Sequence, residues 1–576
     1  MHGPIIQLYL FPLPYADHEV LQIQNKKDPS ARYLRVLPSK SAALVVDLFK
    51  HNLHRQSSPR KTMDVAASFL EERGPVLVSV AVIVTSVFLA TVFLGSGSST
   101  LPLMGLEYGS ASKRRKAFVT RGWEFYKKGY DLFKSTTAFR VTTLDGDRIV
   151  LPRRLMEEVR HLPDDVISLD KAFDVTNEHH RLGIGRPQVS GLVMAVVRGD
   201  LTRSLVRINP RLSAETERTI REELPPCDDW TSVVVYQTLL RMVATISGAL
   251  FIGPELCRSD EYLQASIGYT LDYVNGIQGL KKWNRWLRWV GRYFTPEVTK
   301  LFEDRKKAHA FLQPVLEKRR AAMKAGEEVS DDALQWMMKK ADELGFTDEV
   351  IAEAQLNLSM AAIHTTSLSV TMILYDLVVR PDIIDELRNE IKTVLARYDG
   401  VTTSQALFEM KLLDSVMKES QRTNPASLVR FTRYVQKPVT LSDGTYLPAG
   451  YLIEAPYALA VMDPELYRNP EEFDAHRFLN LRNGTTEDTL GYKNKEQYQF
   501  VTVTKDFMHF GYGRHSCPGR FFAANEIKLI LARILLEYDL KMPEGLTERY
   551  ANINMGTDVL PDPTKEILFK RVKTAA

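Results

Sequence analysis

The chain has 576 residues, 44% of them hydrophobic and 25% charged, and its 75 basic residues against 71 acidic ones leave a net charge of +4. This excludes collagen-like, coiled-coil and wholly disordered chains, and the charge is too balanced to point to a nucleic-acid binder. The three cysteines, Cys227, Cys257 and Cys517, are too few for a disulfide framework, so the bulk reads as a protein of a reducing compartment.

Residues 1–62 have no clear apolar period and no secretory h-region, and read as a doubtful or disordered extension. Met63 opens a short tail, 63–74, that leads into 20 positions without a charge, 75–94. As a helix rising about 1.5 Å per residue, that stretch would cross a hydrocarbon layer of about 30 Å, so it is expected to be a single transmembrane signal anchor. Lys113, Arg114, Arg115 and Lys116 follow it and favour a cytosolic C-terminal bulk, although Arg60, Lys61 and Arg73 lie upstream. A linker is expected over 95–114, beginning GSGSST, and one large domain over 115–576.

Within that domain, residues 139–152 alternate around Asp145-Gly146 and predict a hairpin. A long helix is predicted over 347–378, a second over 382–397 with Pro381 before it and Gly400 after it, and a third over 405–422 ended by Asn424-Pro425. Strand-like pieces fill 439–456 around another Asp-Gly turn. The fold class expected is mostly α with a small β region.

Near the C-terminus, Phe510-Gly511-Tyr512-Gly513-Arg514-His515-Ser516-Cys517-Pro518-Gly519 places a cysteine in a glycine-rich turn before an apolar helical stretch, 520–536. Backbone N–H groups at a helix start stabilise a thiolate. Glycines let backbone approach a flat cofactor closely, and Phe510 can shield the sulfur. A single thiolate so placed suits an axial ligand of haem iron, whereas a buried free cysteine at a helix start is the plainer reading.

The whole pattern resembles the haem-binding signature of cytochromes P450, Phe-x-x-Gly-x-(Arg/His)-x-Cys-x-Gly, a match with a chance on the order of 10⁻⁷ per starting position from average composition. His515 stands where Arg is commoner in the family. Glu419-Ser420-Gln421-Arg422 resembles the family's Glu-x-x-Arg, and Arg477 in Phe473-Asp474-Ala475-His476-Arg477-Phe478 resembles the third member of its structural triad. Ala361-Ala362-Ile363-His364-Thr365-Thr366 resembles the distal segment, with Thr365 in place of the proton-relaying alcohol and His364 replacing the usual acid. Its wording, and that of the cysteine loop, is similar to filamentous-fungal members. For the haem propionates the resemblance implies Arg433 and, on a weaker match lacking the family's Trp, Arg198, with Arg203 as rival.

The resemblance covers about residues 100–572 and implies a haem b cofactor with an axial thiolate from Cys517, flanked by Phe510, Gly513, His515 and Gly519. It implies a monooxygenase receiving electrons from NADPH through a membrane-bound reductase, with cytochrome b5 as a further partner, on the cytosolic side of the endoplasmic reticulum. Lys418, Arg514 and Arg520 are candidate docking contacts. The alternatives are a haem-thiolate isomerase, dehydratase or peroxygenase that needs no reductase, and a non-catalytic haem protein. By the same resemblance Met360, Ile363, Ser427, Leu428 and Val429 face a hydrophobic substrate, with a terpenoid or terpenoid alkaloid expected first and a polyketide second. The Asn483-Gly484-Thr485 sequon is expected to carry no glycan in a cytosolic domain.

Overall fold

In the computed structural model the described residues are 99–572 together with Ser79, Val82, Ile83 and Ser86. Those four are helical and exposed. The remainder of the expected anchor, the tail and the extension lie outside the described residues. Among the described residues one helix is long and apolar enough to cross a membrane, Asp348–Leu377, and it lies inside the fold.

The compact unit begins at Ser99, earlier than expected. Residues given to the linker already pack: Arg140 N–H donates to the Pro102 carbonyl at 2.6 Å, and Met104 is buried. Helix α1 (Ala111–Phe133) starts from Ser110, whose side chain accepts from Lys113 N–H. The predicted hairpin follows as β1 (Phe139–Thr143) and β2 (Gly146–Val150). Its register pairs Thr143 with Gly146, so the two-residue loop is 144–145, one position before the expected Asp-Gly centre. β3 (Ile167–Ser168), β4 (Arg430–Val435) and β5 (Leu452–Ala455) complete a five-stranded mixed sheet ordered β1-β2-β5-β4-β3.

The helical layer is organised around the long predicted helix. In chain order its members are α2 (Pro187–Val196), α3 (Thr202–Glu223), α4 (Val235–Phe251), α5 (Asp260–Lys281) and α6 (Pro296–Ala325). Then come α7 (Ala333–Leu344), α8 (Asp348–Leu377), α9 (Pro381–Ala396), α10 (Ser404–Glu409), α11 (Lys411–Thr423), α12 (Arg477–Asn483) and α13 (Arg520–Glu537). Asp348 and Glu349 in the first turn of α8 suit the positive end of its dipole. Helix α8 is apolar around most of its circumference and packs against α2, α4, α5, α6, α7, α11 and α13, as expected of a core helix.

The helix predicted over 405–422 is two helices. Met410 leaves the helical region at φ −73°, ψ 73°. The break frees the first amides of α11, and the Glu390 carboxylate of α9 caps two of them, accepting from Leu412 N–H at 2.6 Å and Leu413 N–H at 2.9 Å. A local helical pattern cannot reveal a cap supplied by another helix.

Candidate functional site

The site is built from α11 outward. Glu419 is fully buried, and its carboxylate accepts two hydrogen bonds from Arg422, Nε and Nη2, each at 2.8 Å. Arg477 Nε lies 3.1 Å from both oxygens of the same carboxylate, and Asp474 N–H adds a further bond at 2.9 Å. The spare donors reach backbone: Arg422 Nη1 donates to the carbonyls of Val461 (3.0 Å) and Pro470 (2.7 Å), and Arg477 Nη2 to those of Asn469 and Glu472 (3.2 Å each). The triad implied by the resemblance is thus assembled, and it clamps an irregular stretch that precedes the cysteine loop.

Lys418 extends that clamp and corrects an expectation. It is 2% exposed and cannot be a docking contact. Its Nζ donates to the Gln499 carbonyl at 2.9 Å and the Gln497 carbonyl at 3.3 Å and lies 4.3 Å from the Phe507 ring centre. Burial pushes its ammonium down to about 7. Asp414, one turn earlier, accepts from Phe500 N–H at 2.9 Å.

The cysteine loop closes on itself. Cys517 N–H donates to the Phe510 carbonyl at 2.7 Å, and Gly511 and Gly513 take φ of +80° and +74°, which only glycine adopts without strain. Phe510 stacks edge-on against Phe500 at 5.1 Å. A Cβ on Gly519 would meet nothing nearer than Val197 Cγ1 at 3.8 Å, so the backbone there borders open space. Cys517 keeps accessible surface, while Cys227 and Cys257 are buried. Burial among neighbouring protein atoms still raises the thiol's pKa, opposed by the Gly519 and Arg520 N–H groups and the Arg520 charge. Arg520 donates to the Cys517 carbonyl at 2.9 Å and is half-buried; Arg514 is exposed.

Basic side chains gather beside the loop. His515 Nε2 lies 2.8 Å from Asp164 Oδ1, and Arg514 Nη2 lies 3.1 Å from the same atom. With Arg433 they line a small polar cavity. Arg433 is 5% exposed, yet among the described residues the one hydrogen bond of its guanidinium goes to the carbonyl of its neighbour Thr432. Burial pulls its guanidinium down to about 10; Asp164 opposes that and Arg514 adds to it. A buried cation without an anionic partner is costly, so this corner is suited to a further carboxylate. Arg198, in a π-helical turn (Val197–Leu201) between α2 and α3, donates to the Arg514 carbonyl at 3.1 Å. Arg203 is exposed and has no partner among the described residues.

Beyond the first turn of α8, Ala361 and Thr365 are the exposed positions in a mostly buried helix, one turn apart on one face. An accessible stripe on a core helix borders an internal cleft. Thr365 Oγ1 donates to the Ala361 carbonyl at 2.7 Å. His364 points elsewhere: Nε2 bonds the Ile267 carbonyl at 3.0 Å, and Nδ1 lies 3.2 Å from the Tyr236 hydroxyl. Ile363, expected to face substrate, is fully buried in the main core on the side of α8 away from Thr365. Met360 is half-buried, and Ser427, Leu428 and Val429 are buried, with Leu428 and Val429 packed beside Phe118 and Tyr126 of α1.

The donor set fits a haem. One accessible thiol follows backbone with no side chain in the way, small residues line the facing stripe of a core helix, and a cationic corner with too few carboxylates could receive propionates. Motif reading missed Asp164, Asp414 and Tyr236, which belong to no local pattern and matter only through contacts distant in sequence.

Comparisons with known proteins give the family and the fold. The family model described as Cytochrome P450 matches residues 192–569. Cytochrome P450 monooxygenase braC of Annulohypoxylon truncatum is 36% identical over 481 residues, 83% of this chain and 94% of that protein. Cytochrome P450 monooxygenase paxP of Penicillium paxilli is 36% identical over 457 residues, 78% of this chain and 85% of its own. Among solved structures, retinoic acid bound cyanobacterial CYP120A1 matches with a TM-score of 0.58 at 19% identity, over 83% of this chain and all of that one, which speaks for the fold.

Proposed function

The chain belongs to the cytochrome P450 family and is one of its monooxygenases, and on that premise we propose that it oxidises a hydrophobic fungal secondary metabolite by hydroxylation, epoxidation or desaturation. A terpenoid or terpenoid alkaloid is the first substrate class to test. The observation that carries the reading is Cys517, the one cysteine with accessible surface, held at the start of α13 in the family's loop.

Haem bound through Cys517 supplies the redox chemistry that activates O₂. The chain's own residues bind and position. Cys517 ligates as the thiolate; Arg433, Arg198 and His515 are disposed to hold the propionates by charge-assisted hydrogen bonds. Gly513 and Gly519 keep the backbone clear, and Phe510 shields the sulfur. Thr365 offers a hydroxyl, now returned to its own helix, that can hand a proton at Oγ1 to a reacting oxygen. Glu419, Arg422 and Arg477 hold the approach to the loop without touching it.

Electrons come from a reductase, as in the family. We take NADPH as their source, with Arg514 and Arg520 as docking contacts and cytochrome b5 as a second donor. The apolar stretch 75–94 would anchor the chain in the endoplasmic reticulum, leaving the catalytic domain in the cytosol and the exposed Asn483 without a glycan.

The test is the spectrum of the reduced, CO-bound protein. The expected result is the strongly red-shifted Soret band of a thiolate-ligated haem, lost in Cys517→Ala. Haem-loaded protein without that band would overturn the assignment. Metabolite profiles of a deletion strain would then identify the substrate.

A further inference from the structure

We propose that His364 is a neutral positioning residue with Tyr236 as its partner, the two fixing the helix that carries Thr365 while protons reach Thr365 by a route other than the imidazole. This rests on the reading of Thr365 as the proton-handling hydroxyl.

The hydrogen bonds decide the tautomer. A carbonyl only accepts, so the 3.0 Å bond to Ile267 requires the hydrogen on Nε2. Nδ1 is then a bare acceptor, and Tyr236, 3.2 Å away, must be the donor. Protonating Nδ1 would reverse that bond, with the Tyr236 oxygen accepting, and would leave the tyrosine hydrogen without its acceptor. His364 is 8% exposed, and its burial pushes its pKa down. Helix α4 presents Tyr236 to it and α5 presents a backbone carbonyl; no charged side chain from either bonds the ring. An imidazolium here would be buried without an anion.

Direction matters as much as charge. Successive helix positions differ by about 100°, so His364 and Thr365 occupy different faces of α8. Thr365 borders the cleft, and no hydrogen bond joins the two among the described residues. His364 instead belongs to a polar seam between α8 and α4. One turn on, Ser367 Oγ lies 3.3 Å from the Leu239 carbonyl of α4 and 2.8 Å from that of Ile363. Through one ring, α8 is tied to α4 and α5 at the level of Thr365. A residue type usually associated with proton transfer is thereby spent on orientation, and Tyr236, which no motif marks, shares the task.

The test uses the full-length, haem-loaded protein and three variants, Tyr236→Phe, His364→Gln and His364→Leu. One readout is the infrared C–O stretch of the reduced CO complex, which senses the surroundings of the distal face. The other is peroxide released per NADPH consumed with reductase. His364→Gln keeps an amide donor for Ile267 and is expected to retain the native stretch and to leave peroxide release within about twofold, the scale of a weakened hydrogen bond. Tyr236→Phe and His364→Leu are expected to broaden or split the stretch and raise peroxide release by about fivefold, the shift that one lost buried hydrogen bond allows. A proton-donor role predicts the reverse: a fall in turnover of about 100-fold for His364→Gln and little change for Tyr236→Phe. That result, or a native stretch in Tyr236→Phe, would overturn the proposal. If Tyr236→Phe fails to hold haem, His364→Gln still decides. Absence of the red-shifted CO band from the unmodified protein would overturn the enzyme reading itself, a failure distinct from that of the variants.

Discussion

Arg477 meets Glu419 across 58 residues of chain, its Nε equidistant at 3.1 Å from the two carboxylate oxygens, while Arg422 grips those same oxygens from within the helix. Two guanidiniums share one carboxylate, and the surplus donors go to backbone carbonyls. The pair is consequently sensitive to geometry as well as charge. Arg477→Lys keeps the charge but loses the fork, and it should approach the cost of breaking a buried pair, about 3–5 kcal/mol. Thermal unfolding checks this, with loss of haem as the second reading; an unchanged melt would show that the contacts of Arg422, and not the Arg477 fork, hold the segment.

Lys418 gives stability a rising dependence on pH. Its folded value of about 7 lies below the roughly 10.4 of an unfolded lysine, so between them the unfolded state holds the extra proton. Stability tied to this group therefore rises with pH from about 7 upward, by about 1.4 kcal/mol per unit. Lys418→Met should remove that slope. Denaturant unfolding of both proteins from about pH 6 to pH 9 tests it, and parallel curves would refute a neutral Lys418.

Glu526 on α13 acts in the opposite sense. It is fully buried, Ser247 donates to it at 2.6 Å, and burial raises its carboxyl to about 8. The folded state holds a proton that the unfolded chain loses near 4.3, so the associated stability is present below about 4.3 and declines until about pH 8. Glu526→Gln keeps an oxygen for Ser247 and should flatten that decline. A decline of equal steepness in the variant would mean that another group is responsible.

Gly513→Ala probes the loop. At φ +74° a side chain is strained, and its Cβ would lie 3.2 Å from Arg160 Cβ. The expected cost is about 1–2 kcal/mol, with weaker haem retention, measured as melting temperature and haem-to-protein ratio. Full retention of both would show that the loop relaxes at little cost.

Thr365→Ala should lower product formed per NADPH consumed by about 100-fold, and Thr365→Ser should restore most of it, because the hydroxyl and not the methyl does the work. Equal yields from the two variants would remove Thr365 from proton handling.

Sequence legibility followed the range of the interactions involved. The loop around Cys517, the Glu419–Arg422 pair and the 30-residue helix α8 are local patterns, and each stands where it was expected. Arg477 was legible by order along the chain. Lys418 was misjudged because it lies in a helix buried on every face from 412 to 422, and amphipathic reasoning assigns a lysine to solvent. Ile363 was misplaced by adjacency: neighbouring positions on a helix point to different neighbours. The break at Met410 depends on Glu390 of a separate helix, and Asp164 matters only because His515 and Arg514 arrive beside it from 350 residues further on.

The clamp built on α11 also bears on the order of folding. Between α12 and α13 the chain contains little more than 3-10 turns, and the stretch before α12 is held by carbonyls bonded to Arg422 and Arg477. Such a segment cannot nucleate by itself, since its hydrogen-bond partners arrive only when α11 is docked. Amides over 461–500 should therefore exchange in one cooperative step with α11, and the cysteine loop should be among the last parts of the chain to set.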